Sequence, residues 1–130
     1  MRKTAVVLTG LIAVQHLWFL VLEMFLWTRP LGLQTFQSTQ EFANQSAPLA
    51  MNQGLYNGFL AAGLVWSLFS QSPIFALQVR RFFLGCIAIA GIFGGLTVGP
   101  PLFFVQGLPA LLTLTLVLVS ERTVSSASPS

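Results

Sequence analysis

Residues 4–27 read TAVVLTGLIAVQHLWFLVLEMFLW, an apolar run interrupted only by Gln15, His16 and Glu23. Coiled as a helix, the run is about 36 Å long, enough to cross a hydrocarbon core of about 30 Å with some tilt. Arg2 and Lys3 stand in front of it as they would in a secretory leader. The run is nevertheless longer than a leader's apolar core, and it ends in Glu23-Met24-Phe25-Leu26-Trp27 with no small-residue cleavage site. It reads as an uncleaved first membrane span.

The rest of the chain agrees with that start. Of 130 residues, 55% are hydrophobic and 7% charged, against about 25% charged in soluble domains. A soluble domain of this size buries only about two-thirds of the surface its unfolded chain exposes, so lipid must cover the remainder. The net charge of +3 could point to nucleic acid, but the six basic residues flank apolar runs and form no patch that could follow a phosphate backbone. They orient the chain instead, and no nucleic-acid partner is expected. Cys86 is the single cysteine and lies within an apolar run, so no intrachain disulfide and no metal-binding spacing exist. It reads as a small buried hydrophobe, and neither a metal nor a cofactor is expected.

Four spans are expected, at 4–27, 48–70, 82–98 and 102–119. They form one domain over 1–122, followed by a disordered Ser-rich tail at 123–130. A polar outer loop joins the first two spans. Within it Ser38-Thr39-Gln40-Glu41 has the form of a capping box that would open a short interfacial helix through Phe42. Pro48 suits the first turn of the second span, Gln71-Ser72-Pro73 breaks that span, and a connection runs to Arg80-Arg81. Gly99-Pro100-Pro101 forces a turn between the last two spans. Arg2, Lys3, Arg80, Arg81 and Arg122 then share one side and only Arg29 the other, which puts both termini in the cytoplasm of a cell (inner) membrane.

Lipid removes the hydrophobic drive between helices, so small residues must let them approach. Gly54, Gly58 and Ala62 form one such ridge, and Gly91 and Gly95, beside Ala88 and Gly94, form another. The expected fold is all-α, a four-helix transmembrane bundle with antiparallel up-down order.

The polar residues inside these spans are the candidates for function. An ionised Glu23 near the bilayer centre costs about 2.5–3.5 kcal/mol on insertion scales. His16 lies two turns earlier on the same face, extended by Thr9 and Leu20. The second span carries Asn52, Gln53, Tyr56 and Asn57 in its outer half, with Gln53 and Asn57 four apart on one face. The fourth brings Gln106, and Pro109 just beyond it would leave the Val105 carbonyl as a free acceptor. A polar pocket for a small molecule or a proton, in the outer half of the bundle, follows from these groups. Two alternatives stand beside it. The amides can serve as interhelical glue in a structural subunit that docks a membrane partner. Glu23 and His16 can serve as acid and base of a membrane enzyme acting on a lipid-soluble substrate, although their axial offset of about 10 Å weighs against that pairing. No catalytic residue is assigned.

Several of these runs occur together in a known family. His16 with Leu22-Glu23-Met24-Phe25-Leu26-Trp27, then Asn52-Gln53-Gly54-Leu55-Tyr56-Asn57-Gly58-Phe59-Leu60-Ala61-Ala62-Gly63-Leu64, resembles the bacterial and fungal membrane family catalogued as domain of unknown function 1304. Ala90-Gly91-Ile92-Phe93-Gly94-Gly95-Leu96-Thr97-Val98 and Val105-Gln106-Gly107-Leu108-Pro109-Ala110 look like its later motifs, so the resemblance covers residues 10–115. It implies a four-span membrane protein and carries no established activity, substrate or cofactor.

Overall fold

The computed structural model of the chain describes residues 1–125, with side chains through 120. All its regular structure is helical: α1 (Arg2–Met24), α2 (Pro30–Thr35), α3 (Gln40–Phe69), α4 (Pro73–Thr97), α5 (Pro100–Leu102), a π-helical turn (Phe103–Gly107) and α6 (Leu108–Ser125). Three helical stretches are long and apolar enough to cross a membrane: Arg2–Met24, Pro73–Thr97 and Pro100–Ser120. The longest helix, α3, is not among them, because Asn52, Gln53 and Asn57 interrupt its apolar middle.

Several helix boundaries differ from the expected ones. The polar stretch after the first span is not a plain loop, since α2 and the first turns of α3 lie in it. The helix start expected at Ser38 falls one residue later. The Thr39 Oγ1 accepts from the Phe42 amide at 3.2 Å, and the helix it opens is no short separate piece but continues as α3. Pro48 accordingly sits inside α3 rather than at its first turn. The α4 helix begins at Pro73, where Ser72 caps the Phe75 amide, so Arg80 and Arg81 lie within the helix and not ahead of it. Charged residues do not end a helix. What ended α3 was the missing amide of Pro73 and the cap before it. At the other end α6 continues through Ser125, into the expected tail, whose remainder lies outside the described residues.

The chain divides into two compact units, Ala13–Ala62 on the one hand and Met1–Ile12 with Gly63–Ser130 on the other. In the first, the core is Ala13, His16, Leu22, Ala43, Ala50, Asn57 and Ala61. Its helix α2 starts with Pro30 at the first turn, where a missing amide costs nothing. It ends in a Schellman motif: Ser38 N–H reaches Leu33 O at 2.9 Å, Gln37 N–H reaches Gln34 O at 3.4 Å, and Gln37 takes φ 49°. The indole of Trp27 donates to Ser46 Oγ at 3.0 Å and packs on Phe36, tying the end of α1 to α3.

In the second unit the core is Leu64, Val79, Leu84, Ile87, Ala88, Ala110 and Val117 with the small polar Ser67 and Thr113. Gly91 meets Gly107 backbone to backbone, and a Cβ at Gly95 would lie 2.7 Å from Phe103 Cβ. The ridge expected at 91 and 95 therefore seats the π-helical turn. That turn also alters the expectation for Val105. In π winding a carbonyl bonds the amide five residues on, as Leu108 N–H does to Phe103 O, so the carbonyl of Val105 no longer depends on Pro109. Val105 is not without a partner. Cys86 is half-buried on α4 rather than fully enclosed.

Candidate functional site

The site is built on a close approach of α1 and α3 within the unit formed by Ala13–Ala62. Gly54 and Gly58 allow it. A Cβ at Gly54 would stand 2.6 Å from Met24 Cγ and 3.1 Å from Glu23 Cβ, and one at Gly58 would stand 2.6 Å from Leu20 Cδ1. With hydrogen at both positions, α1 settles low enough for Glu23 to reach the next turn of α3. There the Asn57 amide donates from Nδ2 to Glu23 Oε2 at 2.7 Å. Asn57 is 6% exposed and Glu23 half-buried. A carboxylate accepts hydrogen bonds and an amide supplies two donors, so this pairing satisfies one oxygen and leaves the other available to a further group.

The other expected residues are distributed differently. His16 is fully buried, its ring edge-on to Phe19 at 5.5 Å. It stands two turns from Glu23 along α1, about 10 Å at helical rise. Gln53 is exposed although it precedes Asn57 by four residues. Asn52 is likewise exposed, and Tyr56 is half exposed beside the Phe59 ring. Gln106 belongs to the other unit, half-buried in the π-helical turn against Gly91. Of the seven candidates, Glu23 and Asn57 are joined by a hydrogen bond. Among the described residues no cluster of three or more His, Cys, Asp or Glu side chains could hold a metal ion.

Two polar contacts were not visible in the sequence. One is the Trp27–Ser46 bond, which caps the same helix pair from its loop end. The other is in the second unit, where Arg80 donates to Ser67 through Nε at 3.4 Å to Oγ and Nη2 at 3.2 Å to the carbonyl. Both join residues whose proximity only tertiary packing creates, and neither lies in a motif that spacing could reveal.

These features define an all-helical chain, much of it apolar enough to lie in a membrane, with an acid–amide pair between two of its helices. Residues 10–118 match the family described as "Protein of unknown function (DUF1304)", and the chain belongs to that family. It is similar to the "Uncharacterized protein YpaA" of Lactococcus lactis subsp. lactis (strain IL1403), 29% identical over 116 residues that cover 88% of this chain and 96% of the relative. No solved structure matches the chain.

Proposed function

We propose that the chain is a multi-pass protein of the cell membrane, crossing four times with both termini in the cytoplasm, and that the Glu23–Asn57 pair is the heart of a polar site in its outer half. The site would take a proton or a small polar molecule. Three lines support the four-span reading. First, α3 has 30 residues, about 45 Å at helical rise, so it can cross and still project beyond the bilayer. Second, Val7, Leu11, Val14 and Trp18 follow one face of α1, and Phe82, Ile89, Phe93 and Leu96 one face of α4, all exposed; water would penalise such stripes and lipid would not. Third, contacts step backwards along the partner, with Leu20 near Gly58, Glu23 near Gly54, and Trp27 on Ser46, as an antiparallel pair requires. The basic residues retain their bias, since Arg80 and Arg81 lie in the early turns of α4 and can reach the interface by snorkelling.

The observation that carries the functional reading is the hydrogen bond between Asn57 and Glu23 itself. Ionisable residues inside membrane segments are expensive and commonly mark substrate or proton paths. A specific observation also favours a structural role. The pair lies beside the glycines that bring α1 and α3 together, where an interhelical lock would sit. Glu23→Gln separates the two, because glutamine still accepts from Asn57 but cannot exchange a proton. Protons are the first probe: flux under an imposed pH gradient is followed with an entrapped dye in proteoliposomes. Loss of flux in Glu23→Gln at unchanged helix content supports the site. Equal flux in both proteins, above that of empty vesicles, rules out Glu23 as its carrier. Flux no greater than in empty vesicles shifts the same comparison to a panel of small polar solutes.

A further inference from the structure

A cavity of about 800 Å³ lies wholly within the unit made of Met1–Ile12 and Gly63–Ser130. It is bordered by the first turns of α1, the end of α3, the first half of α4 and the late turns of α6. Its polar groups are Arg2, Arg80, Ser67 and Ser70, with Ser120, and its wall is apolar, including Val6, Leu77 and Val117. The volume falls within the range of about 300–1,000 Å³ found for small-molecule sites.

The two arginines are the chemically informative part. Arg80 is held by Ser67, a side chain only 1% exposed whose own hydroxyl donates to Leu64 O at 2.7 Å. Two of the five guanidinium N–H donors are spent on that hold, and the others have no protein partner among the described residues. Arg2 stands near enough for the two positive charges to repel. Neither guanidinium is paired with a carboxylate among the described residues, and Glu23 and Glu41 belong to the other unit. Two like charges around a cavity, one of them braced from behind, favour an anion between them. A planar guanidinium fork fits phosphate oxygens two at a time.

We propose that this cavity binds a phosphate-bearing anion, its phosphate between Arg2 and Arg80. Phosphate chemistry could come from a lipid headgroup or from free phosphate, and the apolar wall of the same cavity matches the chain of an anionic phospholipid. Basic pockets between membrane helices on the cytoplasmic side bind anionic headgroups in this way. The site is distinct from Glu23 and Asn57, so its failure would leave their role untouched.

The test is native mass spectrometry of the full-length protein in detergent with equimolar phosphatidylglycerol and phosphatidylcholine, with inorganic phosphate added in a second arm. Preferential retention of phosphatidylglycerol is expected, falling about fivefold for each of Arg2→Gln and Arg80→Gln. It should hold in Glu121→Gln, which removes the acidic residue next to Ser120 in sequence. Arg2 is exposed at the start of α1, so Arg2→Gln keeps the test valid should Arg80→Gln misfold. Resistance of the bound lipid to millimolar phosphate assigns the lipid as the source. Displacement by phosphate, itself lost in Arg2→Gln, assigns free phosphate to the same site. Equal retention of the two lipids together with no effect of phosphate overturns the proposal, as does unchanged selectivity in both arginine variants.

Discussion

The Asn57 amide reaches the Glu23 carboxylate at 2.7 Å across two helices, although the residues stand 34 positions apart. Their meeting depends on what is missing between them, since Gly54 and Gly58 offer α1 no Cβ to strike. A pair so placed is a contact that fixes helix register, and we propose that it is also a site where a proton is exchanged. Substitutions at the two positions tell these roles apart.

Asn57→Leu leaves a half-buried carboxylate without its donor and should cost about 1–3 kcal/mol. Glu23→Gln keeps an acceptor and should cost about 1 kcal/mol or less. The coupling between Glu23→Leu and Asn57→Leu in a double-mutant cycle should reach about 0.5–2 kcal/mol. Unfolding in mixed detergent and dodecyl sulfate micelles measures all of these.

Gly91→Ala should destabilise by about 1–3 kcal/mol, because the added methyl meets the Gly107 backbone, which cannot rotate away as a side chain could. Gly85 is the matched control on the same helix. Nothing lies within 4 Å of a Cβ there, so Gly85→Ala should be neutral or stabilise by up to about 1 kcal/mol. The same micelle titration compares them, and equal effects would contradict the packing described for the π-helical turn.

Gln37 takes φ 49° at the end of α2, a conformation that costs a residue with a Cβ about 1 kcal/mol and glycine nothing. Gln37→Gly should therefore raise stability by a few tenths of a kcal/mol to about 1 kcal/mol. Slower proteolysis between α2 and α3 would register the same gain.

Much of this fold could be read from the sequence because composition and apolar run length report on membrane helices directly. Most of the run at 4–27 lies in α1 (Arg2–Met24), and all of the uncharged stretch at 82–98 except Val98 falls inside α4. Helix starts were less legible. Hydropathy shows where apolar residues begin, whereas hydrogen bonding decides where the helix begins, so Thr39 and Ser72 moved two starts into polar sequence. The π-helical turn was invisible because it packs through Gly107 against Gly91, a contact that hydropathy does not report. Glu23 and Asn57 were recognisable as costly residues in apolar surroundings. That Asn57 turns inward while Gln53 stays exposed depends on helix rotation, which no spacing of four can settle.

Both termini are proposed to be cytoplasmic, and a reporter fused after residue 130 checks this in living cells. A green fluorescent protein fusion should fluoresce, and an alkaline phosphatase fusion at the same point should be inactive. The reverse pattern would invert the topology and move the Glu23–Asn57 site to the inner half.

Because Cys86 is the single cysteine, a Cys86→Ala background allows one reporter thiol to be placed at will. The most direct test puts it at the half-buried Glu23 and probes intact cells and inside-out vesicles with a membrane-impermeant thiol reagent, with Ile87→Cys, at a fully buried apolar position, as the control. Glu23→Cys should be labelled from the outside alone, and Ile87→Cys from neither side. Labelling of Glu23→Cys only from the inside, or from neither side, would contradict a polar site reached from the outer half.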